Sequence, residues 1–349
     1  MSDSSRKVLV LGYGEMGHAM QTLLGERHQL MIWEKYPRDD FVSVSLEDAV
    51  PKAEILLFCL PVVAHRSVLD EVIPILDRES ICLSIAKGLD EEGKTAAQIF
   101  EEKLHSSRPR VLLYGPMISE EIRAGRLAFG QLGFDRAQDF RFVHDLFAGT
   151  PLHIEPSDDI PGISWSVILK NVYAMLFGIS DELELGDNMR GFLAAAVLRE
   201  LDAIVRQMGG KPGTASSLAG LGDLITTATS ESSHHHELGR MLARGERDNI
   251  SGEGVHTLKM VIQHALFVRI EQTIRNHDVV RKPHQGLALL DAEDLGHVGH
   301  GADEDLRALL AGGFDPVVAF QAARTWRLRH RFVCHAGHRS GHDYCKCSQ

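Results

Sequence analysis

Residues 8–17 read VLVLGYGEMG, an apolar run followed directly by the glycines Gly12, Gly14 and Gly17. After a strand each glycine has a role: the first permits a tight turn, the second lets the backbone approach a pyrophosphate, and the third allows close packing of the next helix. The N-terminus of that helix presents N–H groups and partial positive charge to phosphates. The stretch therefore predicts dinucleotide binding, with a glycine-rich turn that holds no ligand as the alternative.

Short apolar runs alternate with helix-like segments up to about residue 155, which is typical of an α/β fold with a parallel sheet. The apolar runs are Val8–Leu11, Leu30–Trp33, Ile55–Leu60, Ile81–Ile85, Val111–Tyr114 and Leu127–Phe134, and the helix-like segments include Val68–Leu76, Ala96–Leu104 and Gln138–Phe147. Later segments have apolar residues at helical spacing, without intervening strands: Ser164–Gly178, Phe192–Met208 and His236–Ala243. We expect a Rossmann-type doubly wound parallel sheet followed by an all-helical second domain.

The domain boundaries follow from this change of pattern, and a length of 349 residues suggests about two domains. We predict a dinucleotide-binding domain over residues 1–157, a helical substrate and catalytic domain over 158–262, and a divergent C-terminal segment over 263–349. In that segment Cys334, Cys345 and Cys347 raise the alternative of a metal site, but their spacing matches no zinc pattern. We expect a poorly ordered tail and no metal.

Composition excludes several classes of protein. Apolar residues make up 44% and charged residues 24%, as in a soluble globular protein, and the net charge of −11 leaves no basic footprint for nucleic acid. The longest strictly apolar run is Phe192–Leu198, too short to cross a bilayer, and the start MSDSSRK is followed by too short an apolar stretch for a signal peptide. Five cysteines are too few for a disulfide scaffold. We expect a cytoplasmic protein without membrane insertion.

Charged residues at the end of the second apolar run bear on the choice of cofactor. Glu34 lies about 20 residues after the glycines, where an acidic residue accepts hydrogen bonds from the ribose diol of NAD. Lys35 and Arg38 follow it, and a cation there accommodates the 2′-phosphate of NADP. The pattern favours NAD but leaves NADP open, and Glu34 as a solvated strand-end residue is the alternative.

Seven short blocks together resemble the NAD(P)-dependent glycerol-3-phosphate dehydrogenases, particularly the bacterial type. In chain order they are GYGEMG (12–17), AKGL (86–89), GPMISEE (115–121), ILKNV (168–172), GDN (186–188), LAGLGDLITTATS (218–230) and GEGVHT (252–257). GYGEMG is shared by many dehydrogenases, whereas ILKNV and LAGLGDLITT are specific to this family. Beyond residue 260 no family motif is recognised. The resemblance implies reversible reduction of dihydroxyacetone phosphate to glycerol 3-phosphate, a phospholipid precursor, by a homodimer that uses NAD or NADP.

The resemblance also implies roles for individual residues. Lys170 is the general acid and base, Lys87 contacts substrate and cofactor, and Asp223 supports the substrate and the lysine. The implied substrate-binding residues are Gly115, Asn171, Thr227, Ser233, His234 and His235. The implied cofactor-binding residues are Gly12, Gly14, Glu15, Met16, Gly17, Glu34, Lys35, Lys87, Ser119 and Glu253.

The chemistry agrees with these roles, because hydride addition to a ketone places negative charge on oxygen, and a neighbouring cation must protonate or stabilise it. A desolvated lysine held by a carboxylate can do so. The structural alternatives are a surface lysine for Lys170, a solvated strand-end cation for Lys87 and a helix N-cap for Asp223.

The chain departs from the family pattern mainly where substrate phosphate binds. The family's Ser-Arg-Asn-Arg is here Ser233-His-His-His236, just before a helix expected to begin near His236. Histidine is cationic only when protonated, so a histidine clamp predicts a KM for dihydroxyacetone phosphate that rises as pH passes through about 7–8. Ala196 replaces a usual arginine, and Met117 and Ile118 replace small and aromatic residues. A dehydrogenase for another small hydroxy acid or phosphorylated alcohol, or an inactive dinucleotide-binding protein, are the alternative functions.

Overall fold

One seven-stranded sheet organises the first half of the chain, in the order β2-β1-β3-β4-β5-β6-β7. The computed structural model describes residues 5–37, 41–104, 108, 110–230 and 233–246. The predicted tail over 263–349, its cysteines and Glu253 lie outside these residues. The strands are β1 Lys7–Leu11, β2 Gln29–Trp33, β3 Ile55–Phe58, β4 Ile81–Ser84, β5 Arg110–Tyr114, β6 Ala128–Phe134 and β7 Leu152–Ser157.

The first five strands are parallel, which confirms the predicted Rossmann-type fold. β6 is wrongly predicted as parallel: it runs antiparallel to β5. The connection between them contains only the five-residue helix α5 (Ser119–Arg123), and a chain that does not cross the sheet enters it again in the opposite direction.

A seventh strand, β7, was not predicted from the sequence. Its residues LHIEPS mix polar and apolar side chains and include Pro156, which weakens the strand pattern. β7 lies at the edge of the sheet and pairs in parallel with β6 alone, and an edge strand tolerates a proline that lacks an N–H donor.

Helices cover both faces of the sheet. Alternate residues of β1 divide between two apolar cores, with Leu9 and Leu11 in one and Val8 and Val10 in the other, all fully buried. This pattern is expected of a strand buried on both faces. The remaining helices of this half are α1 Glu15–Leu24, α2 Leu46–Ala49, α3 His65–Val72, α4 Ala96–Lys103 and α6 Ala137–Leu146.

The second half is helical in the residues described, as predicted. Its helices are α7 Ile160–Glu182, α8 Asp187–Gln207, α9 Asp223–Thr229 and α10 His234–Arg244. Glycines bring α7 and α10 unusually close. A β-carbon on Gly178 would lie 1.9 Å from the His236 carbonyl oxygen, and one on Gly239 would lie 2.0 Å from that of Met175. These two helices therefore pack backbone against backbone.

α7 is the central helix of this half. It is the one described helix long and apolar enough to cross a membrane, but 94% of its most apolar window is buried inside the protein. The side chain of Asp159 caps its first turn by accepting from Gly162 N at 3.0 Å. Asp159 also accepts from Lys211 N and from the Thr214 hydroxyl, so it joins the helix to the loop after α8. The apolar sequence of α7 is thus that of a core helix.

Candidate functional site

The glycine turn joins β1 to α1. β1 lies between β2 on one side and β3 on the other, so the order of the strands changes direction at this point of the sheet. Gly12 has φ +96°, a conformation that favours glycine, and its N–H donates to the Trp33 carbonyl at 2.8 Å. A β-carbon on Gly17 would lie 2.3 Å from the Gly12 carbonyl oxygen, so α1 packs directly on the turn. Both glycines occupy the conformations that a dinucleotide-binding turn requires.

Gly14 differs from the other two glycines, because a β-carbon there would have no heavy atom within 4 Å. It is the N-cap residue of α1, and no described side chain caps this helix end. Glu15 and Met16 form the first turn, where backbone N–H groups and the helix dipole attract an anion. This open approach to a helix N-terminus fits the pyrophosphate of a dinucleotide.

Glu34 follows β2 and faces the glycine turn. Its carboxylate accepts from Tyr13 N at 2.8 Å and from Tyr36 N at 3.2 Å, so it is not a freely solvated strand-end residue. Lys35 is exposed, with its ammonium 6.0 Å from the Tyr36 ring centroid, and Arg38 lies outside the described residues. The acceptor expected for a ribose diol and a neighbouring cation are both present, so the choice between NAD and NADP stays open.

Ser119, at the start of α5, contacts Glu15 of the glycine turn. Its hydroxyl donates to the Glu15 carbonyl at 2.7 Å, and Arg123 Nη1 forms an ion pair with Glu15 Oε2 at 2.9 Å. The predicted cofactor residues Glu15 and Ser119 therefore lie together, 104 residues apart in sequence.

Two lysine side chains from distant parts of the chain meet at one carboxylate, that of Asp223. Lys87 Nζ donates to Asp223 Oδ2 at 2.6 Å, and Lys170 Nζ lies 3.3 Å from Asp223 Oδ1. Lys170 is only 6% exposed and Asp223 only 2%. The alternatives of a surface lysine for Lys170 and a solvated cation for Lys87 are therefore wrong. Two ammonium groups on one buried carboxylate leave a net positive charge where an oxyanion can be stabilised.

A π-helical turn, Leu218–Gly222, directly precedes Asp223 and presents its carboxylate to the lysines. Gln131 on β6 holds this turn, since its Oε1 accepts from the Ser217 hydroxyl at 2.8 Å and from Ala219 N at 3.3 Å. The N-cap residue of α9 is Gly222, so the alternative of an N-cap for Asp223 is wrong. Gln131 was not predicted, and no local pattern in the sequence marks a strand glutamine as a support for this turn.

Two predicted substrate residues, Gly115 and Thr227, contact the lysines of the cluster, and a third, Asn171, follows Lys170 in sequence. The Gly115 carbonyl accepts from Lys87 Nζ at 3.1 Å, and the Thr227 hydroxyl accepts from Lys170 Nζ at 2.5 Å while donating to the Asp223 carbonyl. Asn171 follows Lys170 on α7 and is 2% exposed, and its Oδ1 has no hydrogen-bond partner among the described residues. A buried acceptor of this kind is costly unless a ligand or water satisfies it.

The histidine stretch begins a helix two residues earlier than expected. α10 starts at His234 rather than near His236, because the Ser233 hydroxyl caps it by accepting from His236 N at 3.3 Å. His236 is buried and its Nε2 pairs with Asp181 at 2.8 Å. His234 is exposed. Ser233, His234 and His235 thus form the N-cap and first turn of an eleven-residue helix.

His235 departs from the behaviour expected of a cationic clamp. Its Nε2 is buried and has no hydrogen-bond partner among the described residues. Burial, followed by the charges of Lys170, His234 and Lys87, lowers the pKa of His235 to about 4, against a weaker opposing effect of Asp223. The imidazole is therefore neutral at neutral pH, and it lies within electrostatic range of both lysines. The histidine clamp for a bound phosphate stays a prediction, because a bound anion raises the pKa of this ring.

The other departures from the family pattern lie in packed positions. Ala196 is 2% exposed within the apolar core on α8, and Met117 belongs to the second apolar core. Ile118 is the N-cap residue of α5. In the parts of the chain that the structure describes, no three His, Cys, Asp or Glu side chains are grouped to hold a metal ion.

A dinucleotide turn at the sheet, together with two ammonium groups that meet at one carboxylate from the sheet and the helical region, defines a two-part dehydrogenase of the Rossmann type. Comparison with known families makes the assignment specific. A profile described as NAD-dependent glycerol-3-phosphate dehydrogenase N-terminus matches residues 35–136, and the corresponding C-terminus profile matches 159–278. The chain belongs to the NAD-dependent glycerol-3-phosphate dehydrogenase family. The second match extends past residue 260, where the recognisable motifs end.

Individual relatives agree with this assignment. The chain is 30% identical to a glycerol-3-phosphate dehydrogenase [NAD(P)+] of Gloeobacter violaceus, over 81% of this chain and 96% of the relative. It is also 30% identical to the protein of the same name from Bacillus mycoides, over 77% of this chain and 88% of the relative. The crystal structure of glycerol-3-phosphate dehydrogenase from Coxiella burnetii has the same fold, with a TM-score of 0.66, 23% identity, and coverage of 79% and 91%.

Proposed function

We propose that this protein catalyses the reversible reduction of dihydroxyacetone phosphate to glycerol 3-phosphate with NADH or NADPH. The observation that carries the proposal is the pairing of Lys170 and Lys87 with the single carboxylate of Asp223, at 3.3 and 2.6 Å. The product is a precursor of glycerophospholipids. Family membership supports a cytoplasmic homodimer. Analytical ultracentrifugation would measure the size of the protein in solution.

The cofactor end of the site is assigned to the glycine turn. Gly12, Gly14 and Gly17 shape the backbone for a pyrophosphate, the first turn at Glu15 and Met16 attracts its charge, and Glu34 accepts from the ribose. Lys35 and Ser119 lie at the edges of this surface. When bound, the nicotinamide supplies or accepts the hydride at the central carbon of the substrate.

Proton transfer is assigned to Lys170. Its ammonium Nζ donates a proton to the ketone oxygen as the alcohol forms, and the resulting amine takes that proton back in the reverse direction. The Thr227 hydroxyl and the Asp223 carboxylate hold Nζ from two sides, which fixes its position for the transfer. Lys87 adds a second positive charge that stabilises the developing oxyanion.

Substrate phosphate is assigned to the start of α10. Ser233, His234 and His235 form the N-cap and first turn of this helix, where backbone N–H groups and the helix dipole favour an anion. The neutral His235 contributes a hydrogen bond rather than a charge. Gly115 and Asn171 complete the proposed substrate contacts next to the lysines.

The test follows the absorbance of NADH with purified full-length protein and dihydroxyacetone phosphate, then with a panel of small hydroxy acids and phosphorylated alcohols. Oxidation of NADH that needs the three-carbon phosphate supports the proposal. Oxidation with another substrate alone overturns the substrate assignment, and tight NADH binding without any oxidation overturns the assignment as an enzyme. Lys211→Ala, which removes a surface lysine paired with Asp158, is the matched control for Lys170→Ala.

A further inference from the structure

Two adjacent residues at the start of α3, His65 and Arg66, contact the segment that carries Lys87. His65 is fully buried, with its ring centroid 5.0 Å from that of Phe58 and 5.9 Å from that of Phe100. Burial lowers the pKa of His65 to about 4, so its ring is neutral at neutral pH. A neutral imidazole has one donor nitrogen and one acceptor nitrogen.

The partners of His65 fix which nitrogen carries the proton. Nδ1 lies 3.1 Å from the Pro61 carbonyl oxygen, which can only accept, so Nδ1 is the donor. Nε2 is then the acceptor, and it receives the hydroxyl hydrogen of the buried Ser84 at 2.9 Å. The Ser84 oxygen in turn accepts from Ala86 N at 3.2 Å. His65 thus holds the chain immediately before Lys87 through one serine hydroxyl.

Arg66 holds the same segment on the other side of Lys87. Its Nε donates to Asp90 Oδ2 at 2.6 Å, and Asp90 is 3% exposed. The second carboxylate oxygen, Asp90 Oδ1, accepts from Glu92 N and Lys94 N at 2.9 and 2.8 Å. The ends of the segment 84–90 are therefore both attached to the first turn of α3.

Lys87 lies between these two attachments and needs them, because its long side chain has many rotamers. We propose that His65 and Arg66 are positioning residues that fix the segment 84–90 so that the Lys87 ammonium stays on Asp223. Neither residue contacts Asp223, Lys170 or the glycine turn in the contacts described, and each acts through the backbone on either side of Lys87.

The central test compares two serines at opposite ends of β4. Ser84→Ala cuts the link from His65 to Ala86 N, whereas Ser80→Ala removes a similarly buried hydroxyl that donates to the Ala53 carbonyl. Ser84→Ala loses the hydrogen bonds to His65 Nε2 and from Ala86 N, and Ser80→Ala loses the one to Ala53, so both variants are expected to show small decreases in Tm, the larger one for Ser84→Ala. Only Ser84→Ala is expected to lower kcat/KM for dihydroxyacetone phosphate, by roughly tenfold, because misplacement of a site group is costly.

A second comparison shows whether the effect passes through Lys87. In a Lys87→Met background, Ser84→Ala should change kcat/KM by less than about twofold, because non-additivity reports direct coupling. An equal loss in both backgrounds, or equal losses for Ser84→Ala and Ser80→Ala, overturns the proposal. If Ser84→Ala does not fold, the partly exposed Arg66 is changed instead, as Arg66→Gln. This variant should also lower kcat/KM only while Lys87 is present, and an equal loss in the Lys87→Met background overturns the proposal.

This kinetic arm rests on the proposed function, so a third measurement is independent of it. Trace acetylation with acetic anhydride, read by peptide mass spectrometry, compares the reactivity of Lys87 with that of the exposed Lys52. Ser84→Ala should raise the relative labelling of Lys87, and Ser80→Ala should not. Unchanged labelling overturns the positioning role, whereas raised labelling without any reductase activity in the wild type overturns only the proposed function.

Discussion

The cofactor end of the site is built from backbone and open space, whereas the proton-transfer end is built from buried charged side chains. The glycine turn uses backbone from six consecutive residues, and its decisive feature is the open space at Gly14. The lysine cluster uses side chains from three separate regions, with the ammonium groups of Lys87 and Lys170 lying 2.6 and 3.3 Å from the carboxylate of Asp223. A site made of backbone and free space fails when atoms are added, and a site made of buried charges fails when atoms are removed.

The largest expected effect comes from removing an atom group at the charged end. Lys170→Ala should lower kcat by at least about a hundredfold, the usual scale for a lost general acid or base. NADH affinity, measured by fluorescence titration, should change little because the glycine turn is intact. Lys211→Ala should leave both quantities unchanged. Survival of kcat within about threefold would contradict the assignment and move it to Lys87.

The second effect comes from adding atoms at the backbone end. Gly14→Val should weaken NADH binding by at least about tenfold, or about 1.4 kcal/mol, because its side chain fills the approach to the helix N-terminus. The fold should survive, since no heavy atom lies within 4 Å of a β-carbon there. Gly191→Val on α8, where a β-carbon also meets nothing, is the matched control. Unchanged affinity in Gly14→Val would mean that this turn holds no pyrophosphate.

The same contrast explains what the sequence could predict. The glycine turn is local, so six letters after an apolar run were enough to place it, and the resemblance supplied candidate residues for the charged end. The shared carboxylate of Asp223 could not be derived from spacing, because its partners lie 136 and 53 positions away. Gln131 and His65 carry no local signal, since a polar residue within a strand or at the start of a helix becomes a support only through the fold.

Errors at the level of elements have physical causes of the same kind. The start of α10 was misplaced because apolar periodicity begins at Leu238, whereas the Ser233 cap decides where the helix begins. β7 was missed because an edge strand does not need the apolar alternation or the N–H donors that a central strand needs. In both cases a local hydrogen-bonding requirement outweighed the hydrophobic pattern.

The third prediction sharpens the comparison at Glu34, where a side chain supports the backbone site. Glu34→Ala should weaken NADH by about fivefold and NADPH less, because one ribose acceptor and one charge repelling a 2′-phosphate are lost. The same change also removes the hydrogen bond to Tyr13 N. Glu34→Gln keeps an oxygen that can accept from Tyr13 N. If Ala weakens both cofactors equally and Gln weakens neither, Glu34 acts through the turn rather than on the ribose.

The smallest expected effect concerns His235 and takes the form of an absent pH dependence. Its pKa of about 4 reflects burial and the charges of Lys170 on α7, Lys87 after β4 and His234 on α10, opposed by Asp223 on α9. A bound phosphate raises the pKa by roughly one to three units, so the ring remains mainly neutral above about pH 7. We therefore expect the hydrogen bond of His235, not its charge, to contribute to binding.

The measurement is the KM for dihydroxyacetone phosphate in wild type and His235→Asn, from about pH 7 to pH 8.5. A neutral hydrogen-bonding ring predicts a ratio of the two KM values that stays constant within about twofold, because neither side chain changes charge in that range. Titration of the phosphate affects both proteins alike and cancels in the ratio. A cationic clamp with a pKa raised from about 6.5 predicts the opposite, a wild-type KM that rises relative to the variant as the imidazolium is lost. His234→Asn, measured over the same range, reports any contribution from the charge of the exposed neighbour. A KM ratio of wild type to variant that changes with pH for His235→Asn, but not for His234→Asn, would restore the clamp at His235.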